Sequence, residues 1–145
     1  MELKVKLMRE GARVPERGTP EAAGADLYAC LDETLTVAPH TTVMVPTGIA
    51  IELPPLHAGL VFARSGLATK RDLAPANKVG LIDPDYRGEV FVSLHNHGET
   101  AQTVEPGERV AQLVVMPYVV PELTLADELS DTERGAGGFG STGTK

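Results

Sequence analysis

Three short stretches of this chain bring together residue types that do chemistry. ARSGLA, residues 63–68, sets Arg64 beside Ser65 and Gly66, so a guanidinium, a hydroxyl and an unshielded backbone N–H follow one another. Ser65 reads as the N-cap of a short helix over SGLATKRDL. A helix start also attracts anions, and Arg64 strengthens a phosphate-holding reading, with which a capping role is compatible. The second stretch, GLIDPDYRGEV at residues 80–90, bends at Pro84-Asp85 with Asp83 and Tyr86 beside the bend. It reads as a strand, a tight turn and a second strand, a hairpin. Aspartates at a bend commonly bond their own backbone, and Tyr86 has a simple reading as a half-buried hairpin aromatic. The third, RGAGGFGSTGTK from Arg134 to Lys145, has five glycines in twelve residues, with Phe139 as its one large apolar side chain. It is either a frayed terminus or a flap that orders over a ligand through Arg134 and Phe139.

Several look-alikes fail on context. Gly135-x-Gly137-x-x-Gly140 matches a dinucleotide fingerprint, yet no strand precedes it and too few residues follow it for a helix. Ser65 is not the serine of a nucleophile elbow, because Ala63 stands where the first glycine belongs. His95 and His97 project from one side of a strand as a metal pair or, more simply, a solvated strand end; no third ligand lies nearby in sequence.

The elements that must position these stretches are strands. LKVKLM, LTVAP, TTVMVP, IAIEL, GLVFA, EVFVSLHN and QLVVMPYVV are short runs of Val, Leu, Ile and Thr, separated by Pro, Gly, Asn and Asp. Many short strands with regular turn signals predict an all-β sandwich, barrel or jelly roll, here with one short helix. Residues 1–121 read as the folded body; 122–145, acidic and then glycine-rich, read as an arm. The 145 residues suit a single domain, and a content of 42% hydrophobic and 23% charged residues is that of an ordinary globular protein. A net charge of −7 argues against a broad nucleic-acid surface, though a few arginines in one pocket still suit a small anion. No apolar run is long enough for a membrane span. The opening MELKVKLMREG lacks the apolar core of an export signal, and the single Cys30 suits a reducing compartment, so a cytoplasmic protein is expected.

Taken in order, AGADLYA (23–29), ARSGLA (63–68), GLIDPDYRGEV (80–90), GERVAQLVV (107–115) and RGAGGFGSTG (134–143) resemble the five-motif signature of the trimeric dUTPases. The resemblance spans residues 23 to 143 and departs visibly only at Ala63, where many relatives carry Pro or Gly. It implies a jelly-roll-like β-fold of the β-clip type, a homotrimer with shared active sites, and hydrolysis of dUTP to dUMP and pyrophosphate with Mg²⁺. By position, Asp83 is similar to the carboxylate that activates the attacking water. Tyr86 would meet the deoxyribose, and Asn77 with Gly80, Leu81 and Ile82 would read uracil. Arg64, Ser65, Gly66 and Gln112 would hold phosphates, and Asp26 would reach the metal through water. From the arm, Arg134 would pair with the γ-phosphate and Phe139 would stack on the base. Gly140 and Ser141 would donate to phosphates. Two other readings stay open: a dCTP deaminase relative, and a non-catalytic nucleotide sensor on the same scaffold.

Overall fold

A computed structural model of the chain describes residues 1–138. Among them are eleven strands and one helix: β1 (Lys4–Leu7), β2 (Ala25–Tyr28), β3 (Leu35–Val37), β4 (Thr42–Pro46), β5 (Ile49–Glu52), β6 (His57–Phe62), α1 (Ser65–Lys70), β7 (Leu73–Pro75), β8 (Gly80–Ile82), β9 (Phe91–Asn96), β10 (Gln102–Val104) and β11 (Arg109–Pro117). Every pairing is antiparallel. A four-stranded sheet runs β2-β11-β6-β8, a three-stranded sheet runs β4-β9-β7, and β1-β5 and β3-β10 form two-stranded sheets. The all-β, jelly-roll-like expectation holds.

The core follows from period-two alternation. Along β9, Val92, Leu94 and Asn96 turn inward while Phe91, Ser93 and His95 turn out. Leu94 meets Leu27, Val37, Val45, Ile49 and Val104 in one apolar cluster, all nearly free of solvent contact. Such a core stabilises by about 25 cal/mol for each Å² of apolar surface removed from water. Asn96 is one of two buried polar residues, with Thr47, and it is satisfied: its Nδ2 donates to the carbonyls of Val37 (3.0 Å) and Thr100 (2.8 Å), and its Oδ1 accepts from Gly98 N–H (2.9 Å). That pins the end of β9 against the end of β3.

Two local expectations need correction. Ser65 is not the N-cap: Arg64 occupies that position in extended backbone without a side-chain cap bond, and Ser65 is the first helical residue. The helix is also shorter than the SGLATKRDL reading, because Asp72 takes a positive φ of 53° and Leu73 already begins a strand. The second correction concerns the hairpin. Gly80–Ile82 does not pair with the strand that follows the bend; it pairs with Val61–Gly59 of β6, while Phe91–Asn96 pairs with β4 and β7. The bend at Pro84-Asp85 therefore joins two sheets, and its arms open instead of zipping.

After β11 the chain has no helix or strand through residue 138. Leu123, Leu125 and Leu129 there are almost wholly exposed, at 91%, 100% and 89%.

Candidate active site

The opened bend makes a cleft of about 310 Å³ between β8 and β9. Asn77, Gly80, Leu81, Ile82, Asp83 and Tyr86 all line it. The cleft exists because the β7–β9 ladder runs out. Ala76 N–H still reaches the Ser93 carbonyl at 2.7 Å, then Lys78 takes a positive φ of 67° and the chain crosses to β6. Among the described residues β8 is the last strand of its sheet and keeps one edge of backbone donors and acceptors without a strand partner. A planar heterocycle with matching donors and acceptors can complete such an edge. Asp83, exposed at the end of β8, stands where that edge meets the bend.

A second pocket of about 440 Å³ is lined by Gly18, Ala22, Gly24, Asp26, Arg64, Ser65, Gly66, Arg109 and Gln112. Asp26 lies between two guanidiniums, accepting from Arg64 Nε at 2.7 Å and Arg109 Nη1 at 3.2 Å. Two cations against one anion leave a net charge of +1. Gln112 donates through Nε2 to the Ala63 carbonyl at 2.9 Å, which fixes its amide at the pocket. Gly24 makes room for it, since a Cβ there would stand 2.5 Å from Gln112 Oε1. The arrangement is a cationic, open cup suited to a polyanion with several oxygens.

Arg109 was missed from sequence, and the reason is geometric. Residues three apart on a regular strand face opposite sides, so Arg109 and Gln112 should not share a pocket. A bulge between Arg109 and Ala111 resets the alternation of β11 and brings both to one face. Arg71 was missed as well. It closes α1, pairs with Glu108 and donates to the Thr103 carbonyl, while Glu108 Oε2 accepts from Glu105 N–H at 3.0 Å. This ties the helix that presents Arg64–Gly66 to the loop that delivers Arg109.

The two pockets share no lining residue. Asp26 is on β2 and Asp83 follows β8, at opposite edges of the four-stranded sheet. Three strand spacings separate those edges, roughly 14 Å. Arg134 belongs to neither pocket: it is exposed and its Nε donates to the Gly137 carbonyl at 2.8 Å. Phe139, Gly140 and Ser141 lie outside the described residues. His95 and His97 do sit together, with ring centroids 4.5 Å apart. Among the described residues, however, no three His, Cys, Asp or Glu side chains are grouped to share a metal ion.

Comparison with known proteins gives this geometry a context. The dUTPase family model matches residues 10–143. The chain belongs to the dUTPase family. It is 51% identical over 148 residues to a deoxyuridine 5'-triphosphate nucleotidohydrolase of Desulfitobacterium hafniense, covering 99% of this chain and 97% of that one. It is also 51% identical over 144 residues to the protein of the same name from Polynucleobacter necessarius, covering 97% of each. Among solved structures, the dUTPase of Staphylococcus bacteriophage 80alpha with dUPNHPP superposes with a TM-score of 0.92 at 32% identity, covering 99% of both chains. A mutant dUTPase from phage phi11 of S. aureus, described with a structural Mg(II) ion, superposes at 0.82 with 26% identity, over 90% of this chain and 100% of that one. The chain is thus an enzyme of the dUTP diphosphatase class, acting on dUTP. No helix among the described residues is long and apolar enough to cross a membrane.

Proposed function

We propose that this enzyme cleaves dUTP between the α- and β-phosphates at a site assembled from two or more copies of the chain. The observation that carries the reading is the separation of its halves. One chain holds a base-sized cleft with Asp83 and a cationic cup with Arg64 and Arg109, at opposite edges of one sheet. A nucleoside triphosphate joins the two halves when the cleft of one copy faces the cup of another. A closed homotrimer, as in the family it resembles, satisfies this with three equivalent sites.

Uracil lies along the free edge of β8, with Asn77 and the backbone of Gly80–Ile82 reading its polar edge. Cytosine is rejected by mismatched donors and thymine by its methyl group. Tyr86 packs on the deoxyribose and leaves no room for a 2′-hydroxyl. Asp83 orients a water and takes its proton as the water oxygen bonds to the α-phosphorus. The bond from that phosphorus to the bridging oxygen breaks, pyrophosphate leaves with the electron pair, and the proton passes from Asp83 to solvent. General-base assistance of this kind contributes about 10²–10⁴-fold. Arg64, Arg109, Gln112 and the Ser65 and Gly66 backbone hold the β- and γ-phosphates, so positioning and charge neutralisation do the rest.

The donor set fits a Mg²⁺ that arrives with the triphosphate and does not fit a protein-only cage. Asp26 is the one carboxylate in the cup and both its oxygens already accept from arginines. Asp26 would hold such an ion through its water shell, and the ion would supply charge neutralisation on the phosphate oxygens. The arm brings Arg134, Phe139, Gly140 and Ser141 to a neighbour's site. Ordering it costs roughly 1–2 kcal/mol per residue, more than one arginine–phosphate pair at about 1.5–3 kcal/mol returns. The bare side chains of Leu123, Leu125 and Leu129 offer the additional subunit contacts the arm needs. Working in the cytoplasm, which suits its lone free Cys30, the enzyme keeps uracil out of DNA and supplies dUMP for dTMP synthesis. Pyrophosphate release from dUTP tests the reading: Asp83→Asn should abolish it while retaining nucleotide binding, and substantial turnover by that variant would remove Asp83 from the chemistry.

A further inference from the structure

Tyr86 is held by a pair of residues: Glu89, itself a wall of the cleft, and Arg9, which lies outside it and belongs to no recognised motif. Its hydroxyl donates to the backbone carbonyl of Glu89 at 2.9 Å. Its ring lies on Gly88, where a Cβ would overlap the hydroxyl and the ring carbons. Glu89 is in turn fixed by its side chain, which is only 13% exposed. Oε2 accepts from Nε and Nη2 of Arg9 at 3.0 and 2.7 Å, and Oε1 accepts from Gly48 N–H at 2.9 Å. The Arg9 guanidinium also stands 5.9 Å from the ring centre of Phe91, another wall of the cleft. Three hydrogen bonds therefore hold the side chain of the residue whose carbonyl holds Tyr86.

We propose that Arg9 and Glu89 are positioning residues for sugar selection: by fixing the carbonyl that anchors the Tyr86 hydroxyl, they fix the ring that excludes a 2′-hydroxyl. This rests on the reading above that Tyr86 meets the deoxyribose. The physical requirement is stiffness. A ribose differs from a deoxyribose by one oxygen atom, so a ring that can retreat by that width selects nothing. Tyr86 is 46% exposed, so packing alone holds the ring only in part. Its one side-chain hydrogen bond among the described residues runs to the Glu89 carbonyl. Selection therefore depends on an anchor set by a residue 80 positions away in the chain, and neither Arg9 nor Glu89 touches the reacting atoms.

The test compares kcat/KM for dUTP and for UTP, with Tm measured on the same preparations. Glu89→Gln keeps the shape and removes the charge. Arg9→Ala alters a side chain that is 47% exposed and outside the core. Both should lower the dUTP/UTP ratio by roughly 10- to 100-fold, the scale of a misplaced contact, chiefly through improved use of UTP. The double variant should fall no further than either single one, because both cut the same anchor. Arg9→Lys, which keeps the charge and loses the fork, should recover part of the ratio. Tyr86→Phe, which keeps the ring and cuts the tie, should reproduce the Glu89→Gln ratio. If Tyr86→Ala collapses the ratio while Glu89→Gln and Arg9→Ala leave it intact, the anchor is refuted and the role of Tyr86 stands. Equal losses on both substrates also overturn it, since they report structure and not selection. If Tyr86→Ala itself leaves the ratio unchanged, the reading of Tyr86 fails and the anchor fails with it.

Discussion

Replacing Asp26 by Asn separates the two jobs proposed for its carboxylate. It lies between Arg64 at 2.7 Å and Arg109 at 3.2 Å with its own side chain 13% exposed. Asparagine keeps the volume and one acceptor oxygen but raises the net charge of the cup from +1 to +2. A phosphate about 5 Å away then escapes a repulsion of roughly 0.8 kcal/mol in water, or about 3 kcal/mol at an effective dielectric of 20. Arg109 is half exposed and the cup is open, so the effect belongs near the lower end, about 1 kcal/mol or roughly fivefold tighter binding. That sign applies without metal. With Mg²⁺ present it should reverse, because among the described residues Asp26 is the only carboxylate lining the cup that would orient the ion's water, and losing such a contact costs about 10- to 100-fold. The assay is titration with a non-hydrolysable dUTP analogue in EDTA and in Mg²⁺, with dUTP turnover measured in parallel. Opposite shifts in the two buffers are expected. Equal weakening in both would mean that Asp26 only holds the arginines in place, and the charge argument would be wrong.

Deleting residues 134–145 should lower kcat by about 100-fold or more and leave the oligomer mass by light scattering unchanged; an unaltered kcat refutes the flap. Leu94 is fully buried, so Leu94→Ala should cost about 2–5 kcal/mol in urea unfolding, and a negligible shift in midpoint would contradict the core described. Slight desolvation first, and then neighbouring His95, lower the pKa of the exposed His97 from its ordinary 6.5. The unfolded chain therefore takes up that proton first as pH falls, and stability should drop as pH falls through about 6.5 toward the lower folded value. His97→Asn should flatten that slope below about pH 6.5; an unchanged slope would show that His97 does not set it.

The strands most legible in the sequence were those whose alternation is apolar and several residues long, such as Phe91–Asn96 and Thr42–Pro46. Leu73–Pro75 and Gln102–Val104 escaped because three residues, one of them proline in the first case, carry almost no periodic signal. The bend at Pro84-Asp85 was legible as a turn, but turn chemistry is local and pairing is not. Gly80–Ile82 chose Val61–Gly59 over its sequence neighbour, and the cleft depends on that choice. Asp83 and Arg64 were visible as motif members. Arg109 was hidden by a bulge that no spacing rule anticipates, and Arg71 and Arg9 by partners 37 and 80 residues away. Residue types announce chemistry, whereas long-range pairing decides which of them meet.

The central claim is that no single chain contains a working site. Asp83→Asn chains and Arg64→Ala chains should each be inactive alone. Unfolded together in equal amounts and refolded, they should recover about one quarter of wild-type turnover, since each site then draws an intact Asp83 and an intact Arg64 independently. If the mixture stays as inactive as its parents although mass analysis shows mixed oligomers, each site is built within one chain and the account is wrong.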